Sequence, residues 1–344
     1  MNTSPVRFGL IGTGRIGQVH AATIAANPDA ELTGVADVMV DAARATAQRY
    51  GGRATADPVE LIRSGDVDAV VIASPTPTHV DLIEAAVEAS VPVLCEKPID
   101  LDLARVDALW PQVQAAGVPV ALGFNRRFDP AFASVQARVA AGEIGELEQL
   151  SIVSRDPSAP PAEYVGVSGG IFRDMSIHDL DMARFFLPDI VEVSATGSQM
   201  FDAGARQHGD FDTAVITLRA SSGALVSITN SRHSAVGYDQ RLEAFGARGM
   251  LQVANAPTSL VSLSTASVVE ARPPYQEFFL ERYAEAYAAE IAAFICRVRG
   301  EESASPSYTD GRAALLLADA AQRSAREGIA VPVDLRAGVG SGVS

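Results

Sequence analysis

Short continuous apolar runs alternate with stretches of helical spacing along the first third of the chain. Residues 6–11 form the first run, 31–36 the second, and 68–73, 91–94 and 118–122 the later ones. Between them, the segment that runs to Ala26 and is ended by Asn27-Pro28, and the segments 41–50, 79–90 and 102–116, have helical spacing and helix-forming composition. Strands without alternation are buried on both faces, and strands that alternate with helices form a parallel sheet under those helices. Right-handed crossovers make that sheet doubly wound. This predicts an N-terminal α/β domain over residues 1–124.

The period changes near residue 124. One helix is expected over 130–141. After it, residues 147–153, 213–218, 224–229 and 241–245 alternate with period two, separated by turn residues such as Ser222-Gly223. Such strands bury one face and leave the other in water. A strong helix is expected over 171–186, and alanine-rich helices over about 279–299 and 309–327. The second domain, residues 125–336, is therefore read as α+β with an open, mainly antiparallel sheet, its last helices packing back near the first domain. Residues 337–344 are expected to be a flexible tail.

A length of 344 residues suits two domains. With 27 Lys+Arg against 42 Asp+Glu, the net charge is −15. That argues against nucleic acid and against an anionic membrane as partners. Two cysteines, Cys95 and Cys296, make neither a disulfide framework nor a cysteine-rich zinc site, and the five histidines form no ligand cluster, so no metal is expected. The first ten residues lack a signal-peptide pattern and no apolar run is long enough for a membrane helix, so the expected location is cytoplasmic.

Gly12-Thr13-Gly14-Arg15-Ile16-Gly17 is GxGxxG between an apolar run and a helix, the setting in which this motif binds a dinucleotide on a Rossmann-type sheet. The first glycine permits a tight turn, the second close backbone approach to a pyrophosphate, and the third close helix–strand packing. Asp37 lies at the end of the second run, where a carboxylate binds the ribose hydroxyls; the alternative is a turn cap. Val38 and Met39 follow, with no cation to receive a 2′-phosphate, so NAD is expected rather than NADP. Ser74, Pro75 and Thr76 start a stiffened loop at a strand's carboxyl end and are expected to touch the cofactor. His79 either joins them or caps the next helix.

Glu96-Lys97-Pro98 follows the run 91–94. By itself it fits a surface lysine paired with Glu96. Together with GxGxxG, the acidic end of the second strand and the Pro/Thr/His loop, it resembles the glucose–fructose oxidoreductase/inositol dehydrogenase/rhizopine-catabolism family over nearly the whole chain. That resemblance implies a two-domain dehydrogenase with its active site between the domains and Lys97 in catalysis. Glu96 and Asn125 are expected on the cofactor side. The run Gly169 to Phe185 resembles the inositol dehydrogenase branch, whose lysine, aspartate and histidine map to Lys97, Asp174 and His178. Asp174 and His178 are four apart and would share a helix face, with Asp181 near it; His178 is the natural base.

Arg126, Asp156 and Tyr238 carry over as substrate contacts, the last two with structural roles as equal alternatives. Arg127 is expected in an interdomain ion pair. The resemblance also implies a homotetramer packed through open sheet faces. The expected activity is NAD-dependent oxidation of a myo- or scyllo-inositol hydroxyl. The alternatives are a pyranose dehydrogenase and a non-catalytic cofactor-binding regulator. The segment Ser154-Arg155-Asp156 and the Pro-rich stretch 157–167 depart from better-known inositol dehydrogenases and bear on which isomer fits.

Overall fold

The computed structural model describes residues 4–337 and contains two compact units. One runs to Phe128 and regains Glu285–Leu315; the other comprises Asp129–Ala284 and Leu316–Leu335. The tail expected over 337–344 lies outside the described residues beyond Ala337.

Six parallel strands form the first sheet: β1 (Val6–Ile11), β2 (Ala30–Ala36), β3 (Arg53–Thr55), β4 (Ala69–Ile72), β5 (Val93–Cys95) and β6 (Val120–Leu122). Their order is β3-β2-β1-β4-β5-β6, so the direction of winding reverses between β1 and β4. In such sheets ligands bind beyond the carboxyl ends at that reversal. The helices between the strands are α1 (Arg15–Ala26), α2 (Val40–Tyr50), α3 (Pro58–Arg63), α4 (His79–Glu88) and α5 (Leu103–Ala116). Every residue of β4 is buried, which is why that run shows no alternation. The sequence pattern missed β3 and α3. The first is a short edge strand, and the second is set by a cap, the Asp57 carboxylate accepting from the amides of Val59 and Glu60, rather than by periodicity.

The second sheet has seven strands: β7 (Leu147–Arg155), β8 (Ile190–Ser198), β9 (Thr213–Ala220), β10 (Leu225–Ser231), β11 (Asp239–Gly246), β12 (Gly249–Val253) and β13 (Val331–Pro332), in the order β12-β11-β7-β10-β9-β8-β13. Only β7 and β10 pair in parallel, so the sheet is mixed and mainly antiparallel. The remaining helices are α6 (Pro130–Ala140), α7 (Ala162–Val165), α8 (Ile177–Phe186), α9 (Ala203–Gln207), α10 (Phe279–Arg282), α11 (Ala284–Val298) and α12 (Tyr308–Glu327).

Two expected helices are corrected. The stretch 171–186 is a π-helical turn, Phe172–Ser176, running into α8. The stretch 279–299 breaks at Tyr283, whose ring is buried against Tyr238, so α10 and α11 are separate. Helix α11 completes the first unit: Ile291, Phe294 and Ile295 pack with Phe8, Leu10, Leu94 and Ala121 in one core. Among the described residues no helix is long and apolar enough to cross a membrane.

Candidate active site

The glycine loop crosses from β1 to α1 at the carboxyl end of the sheet. Gly12 has φ +93°, and a Cβ there would lie 2.5 Å from the Ser74 amide nitrogen. A Cβ on Gly17 would lie 2.1 Å from the Gly12 carbonyl oxygen. Those two glycines are needed for the turn and the packing. Gly14 differs: a Cβ there would meet nothing within 4 Å, and as N-cap of α1 it offers no side-chain partner to the free amides. The helix N-terminus is thus open to an anion, as a dinucleotide pyrophosphate requires. Arg15 and Ile16 are the first residues of the helix above it.

Asp37 stands just beyond β2. Its Oδ2 accepts from the Thr13 amide at 2.8 Å and the Thr13 hydroxyl at 2.6 Å, and its Oδ1 from the Met39 amide at 2.8 Å. Burial works against its charge, but the hydrogen bonds from Thr13 and Met39 outweigh it and hold the carboxyl below its usual range. The carboxylate therefore ties the glycine loop to the ribose-side turn and caps that turn as well. Val38 and Met39 beside it are exposed and uncharged. These residues fit NAD.

The Ser74 hydroxyl meets that of Thr78 at 2.6 Å, closing the Pro75-Thr76 turn on itself. His79 is buried, with Nδ1 at 2.8 Å from the Pro98 carbonyl and Nε2 at 2.8 Å from the Ser74 carbonyl, so its ring sits between two loops, and Thr78 rather than His79 precedes α4 as its cap. Glu96 accepts from His20, and the half-buried Lys97 follows it. Asn125 and Arg126 lie buried in the turn after β6. Arg127 pairs with Asp310 at 3.2 Å. Asp310 belongs to the stretch that returns to the first unit.

In the second unit Asp174 sits inside the π-helical turn. The Tyr164 hydroxyl donates to its Oδ1 at 2.8 Å, and Arg232 Nη1 reaches its Oδ2 at 3.2 Å. Arg232 is only 1% exposed and lies 3.6 Å from Asp210, whose carboxylate accepts from the Ile171 amide at the start of the same turn. One guanidinium thus holds two carboxylates that grip the turn. A π turn widens the helix locally and is often found at functional sites. It also means that the four-residue spacing of Asp174 and the half-buried His178 spans a π-to-α junction rather than a regular helix. Tyr164 is 46% exposed, and desolvation and the Asp174 charge push its phenol above its usual range.

Asp156 leaves β7 half-buried, its amide donating to the Ser231 carbonyl at 2.9 Å. Asp181 is buried. Tyr238 is buried, at 4% exposure, and its ring meets Tyr283 and Phe278 edge-on at 6.0 and 6.3 Å. Tyr164, Asp210 and Arg232 were not singled out from sequence. A signal existed for two of them, since Arg232 directly follows β10 and Tyr164 lies in the Pro-rich stretch.

Residues 6–124 match the family model described as an oxidoreductase family with an NAD-binding Rossmann fold, and residues 132–252 match the GFO/IDH/MocA C-terminal domain. The chain belongs to this family. An inositol 2-dehydrogenase of Rhizobium meliloti strain 1021 is 47% identical over 94% of this chain and 97% of its own length. A crystal structure of a myo-inositol dehydrogenase from Corynebacterium glutamicum is 52% identical, with TM-score 0.93 over 96% of this chain and 99% of the other. A scyllo-inositol dehydrogenase from Lactobacillus casei, solved with NAD(H) and scyllo-inositol, is 28% identical, with TM-score 0.88 over 96% and 99%. This member of the family, then, is an oxidoreductase whose first unit is the NAD-binding one.

Proposed function

We propose that the protein oxidises a ring hydroxyl of an inositol, myo or scyllo, to the corresponding inosose. The observation that carries this reading is the array Tyr164–Asp174–Arg232–Asp210, which fixes a carboxylate on the turn leading into His178. A cyclitol presents hydroxyls all round its ring, and a carboxylate held from two sides by Tyr164 and the buried Arg232 is suited to select among them. His178 takes the hydroxyl proton. Asp174 orients the ring hydroxyls or the imidazole. Lys97 stabilises the developing alkoxide. Bound NAD+ supplies the acceptor for the hydride that leaves the carbinol carbon, so that a ketone, NADH and a proton result. The substrate roles of Arg126 and Asp156 belong to the same reading.

The relatives named above act on inositols, which places this substrate ahead of a pyranose. The test is NADH absorbance with myo-, scyllo- and D-chiro-inositol and with glucose and galactose, each with NAD+ and NADP+. Turnover with an inositol and NAD+ is expected, reduced about 10²–10⁴-fold in His178→Ala. Turnover with hexoses alone moves the substrate to a pyranose. No turnover with NAD+ binding intact favours a regulator.

Assembly belongs here as well. The rows Leu225–Gln149–Phe245–Met250 and Val215–Thr229–Val153 run straight across the second sheet. Leu225, Phe245, Met250 and Val215 are exposed. Such a row suits a second copy of the chain, and a homotetramer acting in cytoplasmic sugar metabolism is the form we favour.

A further inference from the structure

One buried carboxyl has no part in the chemistry above. Glu290, on α11, is 1% exposed, and neither of its oxygens has a hydrogen-bond partner. It lies on the face of α11 that carries Ile291 and Phe294 into the core of the first unit. A carboxyl in such a place costs stability that leucine would not.

The charge nearest in effect is that of Glu96, which precedes Lys97 at the end of β5. Glu96 Oε1 is 2.7 Å from His20 Nε2, and Oε2 lies 2.9 Å from where a Cβ on Gly123 would stand. Gly123 therefore leaves the carboxylate its room. His20 is fully buried on α1, and Tyr287, one turn before Glu290, meets its ring edge-on at 5.7 Å. The His20 Nδ1 atom is buried without a partner. The ring proton therefore belongs on Nε2, where the Glu96 carboxylate accepts it.

We propose that His20 and Glu290 are positioning residues for Lys97, His20 by anchoring Glu96, and Glu290, buried without a hydrogen-bond partner one turn beyond the ring that meets His20, by leaving the Glu96 carboxylate to back the Lys97 turn. This deepens the dehydrogenase reading and rests on Lys97 being catalytic. Burial, and after it the Glu96 charge, push the Glu290 carboxyl well above its usual range. Glu96 is the charged group that acts on it, and Tyr287 lies one turn earlier on the same helix. The Cys95 thiol is also pushed up, by burial and by Glu96. Anchoring Glu96 fixes the backbone one residue before Lys97, so the ammonium starts from a set Cα. Misplacement of a reacting group by an ångström is worth about a hundredfold in rate.

The tests use the full chain. His20→Leu keeps volume and removes the donor, whereas His20→Gln keeps an Nε2 donor. The leucine variant is expected to lose kcat about tenfold to a hundredfold, with the NAD+ dissociation constant, read by fluorescence titration, nearly unchanged. The glutamine variant is expected to recover most of that loss. Wild-type kcat in His20→Leu, or equal losses in both variants, overturns the anchoring role. Glu290→Gln is tested by thermal unfolding from pH 5 to 9. A raised folded-state pKa means that wild type loses stability as pH rises from the unfolded carboxyl range, while the amide does not. The advantage of Glu290→Gln should therefore grow with pH; a constant difference overturns the uncharged acid. Full turnover in Lys97→Ala would remove the catalytic reading on which the positioning rests, a failure separate from the unfolding result.

Discussion

Tyr164 contacts Asp174, one of the three residues that the sequence singled out for catalysis. Its hydroxyl donates to Asp174, and its raised phenol keeps that proton through the alkaline range in which an alcohol dehydrogenase is assayed. Tyr164→Phe should lower kcat/KM for the inositol about tenfold, as loss of one hydrogen bond to a charged group implies. The ratio to wild type should stay flat from pH 7 to 10; a ratio that closes toward pH 10 would mean that the tyrosine itself ionises there. Asp37 gives a second prediction. Because its folded-state carboxyl is lowered, the stability it lends is complete above the unfolded pKa and is lost as pH falls through the folded one. At neutral pH, Asp37→Ala should erode the preference for NAD+ over NADP+, measured as the ratio of their kcat/KM values. Lys97, Asp174, His178 and Asp37 could be singled out because each sits in a local motif. Tyr164, Asp210, Arg232, His20 and Glu290 were not, because their partners are distant in sequence. The same reason hid the two carbonyls that meet His79, Ser74 and Pro98, which belong to two different loops.

At the scale of elements, the sequence was readable where burial imposed a period. The runs of β1, β2 and β4 and the alternation of β7, β9, β10 and β11 all appeared. Helix α9 and the π turn did not. The first is set by Asp202, which caps it through the Gly204 and Ala205 amides. The second is held from outside by Asp210 and Arg232 rather than by its own spacing. Strand β8 escaped because its burial does not alternate cleanly. The glycine loop joins two elements, and its third glycine is the most exacting position. Gly17→Ala drives a methyl group into the Gly12 carbonyl, backbone that has no room to retreat. It should weaken NAD+ binding at least tenfold by fluorescence titration, whereas Gly14→Ala, at an open position, should fold with wild-type melting temperature.

For the whole molecule, an excess of acidic side chains disperses the protein in water, while the exposed row across the second sheet favours association. If copies of the chain pack through that row, as proposed, Leu225→Asp with Phe245→Asp should give smaller species by static light scattering, leaving secondary structure by circular dichroism intact. An unchanged mass would locate the contact elsewhere. The sequence reading expected the last helices to pack back near the first domain, and residues 285–315 belong to the first unit, although no local pattern says which core a helix will join. That placement carries a consequence for how the protein is made. The first unit lacks Ile291, Phe294 and Ile295 until α11 has been synthesised. At about 5–20 residues per second, the intervening stretch takes the ribosome about 10–30 s. Throughout that interval the nascent nucleotide-binding unit carries an unfilled apolar groove, so the order of synthesis leaves its completion to the end of the chain.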